Sequence, residues 1–401
     1  MTGTRPTSRR PVASAAPAAP AAPVLSRREL NRATLARQLL LDRVDLEPAA
    51  AVARLLAPQA QEPRPPAAGL WSRLSGFGLE DYRAALDARE LVRATFARAT
   101  LHLMTAEDYL EFRPGIAPVL SAAFAGVAGR LGGEPVDLER LLPAARTVLA
   151  AGPLRFDEIR ERLRPRFPEV NVRALGYAVR MHLPLVMVPT EDRWGFPPTA
   201  AFTLAESWLA AAEPGFAAAA DGAGPEPGES TAPLVRRYLA AYGPASVADM
   251  RAWTGLGPRD LRPAFESLRG ELLTFRDEQG KELFDLPDAP RPGPDVTAPA
   301  RFLPDFDSLL LAHADRERIV ATEHRPQLAT KNLRVPAVFC WDGFAAGRWA
   351  ASRRGKKATL TMSPFGPMPR GALRALTAEG EHLLAFMEPD AASTAVVVAD
   401  D

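Results

Sequence analysis

The chain has 401 residues, with 49 Lys and Arg against 48 Asp and Glu and a formal charge of +1 at pH 7. That balance excludes a uniformly basic, histone-like protein, and the one cysteine, Cys340, excludes a disulfide framework or a Cys-rich zinc site. The length predicts about two to four domains, and an apolar share of 47% is enough to give each a core.

No run approaches the ~18 consecutive apolar residues of a membrane span, so a soluble, cytoplasmic protein with no membrane partner is expected. Forty Pro, only four Lys (Lys281, Lys331, Lys356 and Lys357) and abundant Ala read as the usage of a GC-rich, actinobacterial genome.

In chain order, residues 1–23 carry Arg5, Arg9 and Arg10 and then alternate Ala with Pro. They predict a disordered tail, and Pro17, Pro20 and Pro23 interrupt any signal-peptide core. Ser26 followed by Glu29 is a capping box opening a helix through Leu35, Leu39 and Leu40. Helices are predicted at Pro48 to Leu55, Leu79 to Ala88 and Ala106 to Arg113, with an extended pair at Leu91–Phe96 and Ala99–Met104. The middle of the chain repeats this order. Helices at Phe156–Leu163 and Asn171–Met181 precede strands at Leu185–Val188 and Arg193–Phe196. A Gly/Pro-rich linker at 219–230 follows. Helices to Tyr242, at Val247–Trp253 and at Pro258–Leu268 then precede strands at Leu272–Arg276 and Glu282–Leu286. Two such copies, each closed by a hairpin, read as winged helix-turn-helix units.

The last hundred residues turn strand-like, at Val335–Trp341, Arg348–Ala351 and Ala358–Met362, and predict a small antiparallel sheet or barrel followed by a helix at Ala372–Met387 and a frayed end over 389–401. The expected fold class is therefore α+β: winged-helix units at 24–118, 119–218 and 231–290, and a β-rich, barrel-like domain at 295–388. Charge is uneven along it. Between Ala346 and Ala375 stand seven basic residues (Arg348, Arg353, Arg354, Lys356, Lys357, Arg370 and Arg374) and no acid. Arg353, Arg354, Lys356 and Lys357 look like a hairpin tip suited to phosphate contact, although a basic run is also the ordinary form of a solvated face.

Among chemical signals, the five His are scattered without metal-ligand spacing, and neither a nucleophile elbow nor a phosphate loop occurs. Neither a metal nor another cofactor is expected. What stands out is Leu56-Ala57-Pro58-Gln59-Ala60-Gln61-Glu62-Pro63-Arg64-Pro65, where two amides sit two residues apart between prolines. Extended backbone projects such a pair to one side. A polar loop with incidental glutamines is the plainer reading.

Several motifs in order resemble the AlkZ-like and YcaQ-like bacterial DNA glycosylases. They are Leu25-Ser26-Arg27-Arg28, Pro58-Gln59-Ala60-Gln61, Gly69-Leu70-Trp71-Ser72-Arg73-Leu74, Arg98-Ala99-Thr100-Leu101-His102-Leu103, Leu303-Pro304-Asp305-Phe306-Asp307 through Asp315-Arg316, and Trp341-Asp342-Gly343 with Gly347-Arg348-Trp349. The resemblance spans roughly residues 24–388 and implies three tandem winged helices in a C-shape plus a β-rich C-terminal domain. It implies that Gln59 and Gln61 are catalytic and that the branch is the one tied to self-resistance and crosslink unhooking. Arg98, His102 and Arg73 become DNA-contact candidates beside the amides, and double-stranded DNA with alkylated or crosslinked purines becomes the partner of a monomeric enzyme. A non-catalytic winged-helix regulator is the alternative. Three winged helices in one chain speak against it, since dimeric regulators use one per subunit.

Overall fold

The computed structural model describes residues 22–210, 229–330 and 334–399. Most of the tail expected at 1–23 and of the linker expected at 219–230 lies outside the described residues. Three times a run of three or four helices leads into a pair of antiparallel strands. The first unit contains α1 (Arg27–Arg37), α2 (Pro48–Leu55), α3 (Arg64–Trp71), α4 (Leu79–Asp87), β2 (Leu91–Thr95), β3 (Leu101–Thr105) and α5 (Ala106–Phe112). A short strand, β1 (Val24–Leu25), precedes it. The second contains α6 (Ala117–Leu131), α7 (Leu138–Leu149), α8 (Phe156–Leu163), α9 (Val172–His182), β4 (Leu185–Met187), β5 (Phe202–Leu204) and α10 (Ala205–Leu209). The third contains α11 (Thr231–Tyr242), α12 (Val247–Thr254), α13 (Pro258–Ser267), β6 (Leu273–Asp277) and β7 (Glu282–Asp285). Local signals account for the helix starts: Ser26 caps α1 through Glu29, and Ser246 caps α12 through Asp249.

The hairpins do not stay separate. β2 pairs with β4, so the first two units share one sheet in the order β3-β2-β4-β5, and β1 adds a parallel strand beside β6. The boundary expected at 118/119 falls inside α6. The strand expected at Arg193–Phe196 is a turn. Gly195 has φ +81°, its N–H bonds the Asp192 carbonyl, and Pro197 and Pro198 follow without donors, so the pairing passes to β5.

The C-terminal strands β8 (Arg301–Leu303), β9 (Val338–Trp341), β10 (Phe344–Arg354), β11 (Lys357–Pro364) and β12 (Ser393–Val398) make an open sheet in the order β12-β11-β10-β9-β8, not a barrel. The stretch expected to fray contains β12. Its β-branched residues from Thr394 to Val398 pair in parallel with β11, and Val396 packs against Gly380 of α15 (Arg370–Met387). The short α14 (Arg325–Leu328) lies between β8 and β9.

The core joins the units where it matters for function. Leu56, Phe96, Met104 and Tyr109 of the first unit pack in one buried cluster with Tyr238, Tyr242 and Trp253 of the third. Helix α1 fastens the other side. Arg37 forms a fully buried pair with Asp285 at 2.7 Å, and Arg28 reaches Asp342 in the tight β9–β10 turn, also at 2.7 Å. One segment departs from the hydropathy expectation. Pro114–Leu131 is long and apolar enough by length and composition to cross a membrane. In the fold it packs along α9, with Gly115, Ile116 and Leu120 buried and the rest half-buried or exposed.

Candidate functional site

The amide segment is built by strain on both sides. After α2, Leu56 and Ala57 both take left-handed backbone, at φ +51° and +53°, and facing them Arg98 and Ala99 do the same, at +53° and +58°. Such conformations cost L-residues about 1–2 kcal/mol each, and they persist only where surrounding contacts over-determine them, typically at functional sites. Here the reversal after α2 lays Pro58 to Ala60 along β3. The Ala60 N–H donates to the Leu101 carbonyl (2.7 Å) and the Leu103 N–H to the Pro58 carbonyl (2.9 Å).

Both glutamines then reach the turn between β2 and β3. Arg98 Nη2 donates to Gln59 Oε1 at 2.7 Å, and the Leu101 N–H donates to Gln61 Oε1 at 3.4 Å. A guanidinium only donates, so this contact fixes which way the Gln59 amide faces. Gln59 is buried while Gln61 is exposed. The backbone between them is gripped from behind by Arg93, whose Nε and Nη2 donate to the carbonyls of Ala60 (2.8 Å) and Gln61 (3.1 Å). Arg93 carries no sequence signal for this role, because its carbonyl partners lie more than thirty residues away in the chain.

Arg98 is a bridge as well as an orienter. Its other amino nitrogen donates to the Trp253 carbonyl at the end of α12, tying the amide site to the third unit. Burial, aided by the charge of Arg316, holds its guanidinium down at about 10. Arg316 itself is exposed, has no carboxylate partner among the described residues, and acts on Arg98 through its charge.

Two residues expected to touch DNA are built into the interior. His102 is fully buried, with its Nδ1 3.0 Å from the Thr100 carbonyl. A carbonyl accepts only, so Nδ1 carries the proton. Burial and the Arg98 charge push the ring down to about 3, leaving it neutral. Arg73 is also buried. It pairs with Asp307 through two bonds of 2.9 Å and donates further to the carbonyls of Gln38 and Gly69. Four of its five N–H donors are bonded inside the fold, and the side chain is desolvated.

Arg353, Arg354, Lys356 and Lys357 stand at the exposed β10–β11 tip. Arg353 is drawn toward Glu388 (3.2 Å), whereas Arg354, Lys356 and Lys357 have no acidic partner among the described residues. Of the sequence candidates, Gln59, Gln61 and Arg98 thus come together.

A family model described as DNA glycosylase AlkZ-like matches residues 52–386. A curated protein of Streptomyces sahachiroi, named interstrand DNA cross-link repair glycosylase, is 30% identical over 166 residues, which are 40% of this chain and 43% of that relative. The match therefore spans less than half the relative's length. A solved structure, the Streptomyces sahachiroi DNA glycosylase AlkZ, is similar in fold, with a TM-score of 0.73 at 22% identity over 94% of this chain and 100% of that one.

Proposed function

The chain belongs to the AlkZ-like DNA glycosylase family over residues 52–386, and from that premise we propose that it is a monofunctional DNA glycosylase hydrolysing the N-glycosidic bond of N7-alkylated guanine, including guanine held in an interstrand crosslink. The observation that carries this reading is the convergence of Gln59 and Gln61 on the Arg98 turn. Three winged-helix units in a C-shape would hold the duplex against that turn, with the protein acting as a cytoplasmic monomer in repair or in self-resistance to a DNA-alkylating natural product.

The chemistry suits neutral amides. An N7-alkylguanine is already cationic, so it leaves without a general acid, and the sugar passes through an oxocarbenium-like state that water captures. The exposed Gln61 orients that water. Gln59, with one carbonyl lone pair committed to Arg98, keeps its second lone pair and its amino group for the water and the sugar. The protein contributes position and electrostatics. Of the lysines, Lys281 pairs with Asp249 at 3.3 Å, Lys356 and Lys357 lie on the hairpin tip, and Lys331 lies outside the described residues. Simple hydrolysis without a Schiff-base lyase step is the outcome this supports. A crosslinked guanine stays tethered to both strands, so the lesion is reached from a groove without full extrusion.

The test is to incubate the protein with duplex DNA carrying N7-methylguanine and to measure free base and an alkali-labile abasic site. Release of both is expected. No release, with tight binding to an undamaged palindrome, would establish a regulator instead.

Electrostatics supply a second expectation. Replacing Arg354, Lys356 and Lys357 together by Ala should reduce the slope of log affinity against log salt by about 2–3, close to one per lost phosphate contact. An unchanged slope in a salt titration would return the hairpin tip to an ordinary solvated surface.

A further inference from the structure

A cavity of ≈ 340 Å³ lies between α6, α8 and α9, away from the residues that hold the amides. Its floor is apolar, from Val127 and Leu131 of α6, and its walls are aromatic, from Phe156 and Tyr177. Arg160, Arg173 and Arg180 stand round it, and no carboxylate lines it. None of the three guanidiniums has an acidic partner among the described residues. Arg180 donates to the Thr95 hydroxyl at 2.9 Å and lies 5.9 Å from the Phe156 ring, and Arg160 lies flat across Gly176, where an added Cβ would meet its side chain at 2.8 Å.

Each feature narrows the occupant. The volume falls in the range of small-ligand sites, which are mostly apolar with a few convergent polar groups. Aromatic walls favour a flat π-face, and three unpaired guanidiniums favour an anion with several oxygens. A planar base attached to a phosphate satisfies both demands. The position narrows it further: the Thr95 that anchors Arg180 closes β2, one residue before the turn that carries Arg98. Arg180 is also near enough for its charge to bear on Arg93, which holds the Gln61 carbonyl.

We propose that this α6–α9 cleft is a nucleotide subsite. It receives one unstacked nucleotide of the substrate DNA next to the lesion, with the base against Phe156 and Tyr177 and the phosphate on Arg160, Arg173 and Arg180. The inference rests on the glycosylase reading only in taking DNA as the substrate. It deepens that reading by stating where strand distortion is absorbed.

The test uses duplex DNA with 2-aminopurine beside a stable abasic analogue, bound to the full chain, with duplex affinity measured separately by anisotropy. Binding should raise the 2-aminopurine fluorescence as the base leaves the stack. Tyr177→Leu and Arg173→Ala should each weaken binding of this probe about tenfold and suppress the rise, in keeping with the loss of one stacking or phosphate contact. Arg173 is exposed and its side chain makes no bond among the described residues, so that variant separates the subsite from folding. Free dGMP should compete, and inorganic phosphate or deoxyguanosine alone should compete poorly. Duplex binding without a fluorescence rise, or a rise unchanged in both variants, overturns the subsite and leaves the glycosylase reading standing. Absence of any duplex binding overturns both.

Discussion

A chain carrying Gln59→Ala and Gln61→Ala together is expected to bind damaged duplex as well as the unaltered protein does and to release base at least about a thousandfold more slowly. Removing one preorganised polar group at a reacting centre typically costs about 10²–10³ in rate. Here two amides act on the same water and sugar, so their losses do not simply multiply. The single changes should differ. Gln59 is buried and oriented by Arg98, so Gln59→Ala also removes one of the two acceptors of that guanidinium and should lower stability slightly, while exposed Gln61→Ala should affect only rate.

The pH dependence follows from the same geometry. His102 is held near 3 and Arg98 near 10, and the cationic leaving base needs no proton. Base release should therefore be nearly flat across about pH 5–8, where an active-site histidine of ordinary pKa would leave an inflection. Single-turnover release measured alongside duplex affinity checks both points. Wild-type release by the double variant would make the amides bystanders, and an inflection near pH 6–7 would bring a titrating group into the mechanism.

What could be read from the sequence followed the range of the interactions that decide it. Helices α2, α4, α8, α9 and α11 to α13 and the β2–β3 and β6–β7 hairpins lie within a residue or a few of their expected positions, because caps, periodicity and turn residues act over three to five positions. The expected strand at Arg193–Phe196 failed because its true partner for β4 lies beyond Pro197 and Pro198. The loop reading of Leu56–Pro65 runs into the start of α3, where Pro65 and Pro66 sit in the first turn and the missing N–H groups would be unpaired in any case. At the site, the i, i+2 spacing of the glutamines was visible. The grip of Arg93 on the backbone, the tie from Arg98 to Trp253 and the placement of Arg316 join residues far apart in the chain, and no local pattern announces them. Burial sets two of the expected contacts apart: His102 and Arg73 look like surface chemistry in a one-dimensional motif, and only packing shows that both are buried.

Arg73 makes that last distinction measurable. Its guanidinium joins three pieces of the fold: the Gly69 carbonyl inside α3, the Gln38 carbonyl just after α1, and Asp307 ahead of the short turn at Ser308–Leu310, whose Leu309 N–H the same carboxylate caps at 3.0 Å. Both partners are nearly inaccessible to solvent. Arg73→Ala strands a buried carboxylate, which typically costs about 3–5 kcal/mol, whereas replacing both partners by apolar residues of similar volume is often near neutral. Arg73→Ala should therefore lower Tm by several degrees and leave the DNA affinity of the folded fraction unchanged, and Arg73→Met with Asp307→Leu should recover much of the loss. Thermal unfolding paired with duplex titration decides the matter. An Arg73→Ala chain with wild-type Tm and weakened duplex binding would restore Arg73 to the DNA interface and contradict the burial on which its structural role rests.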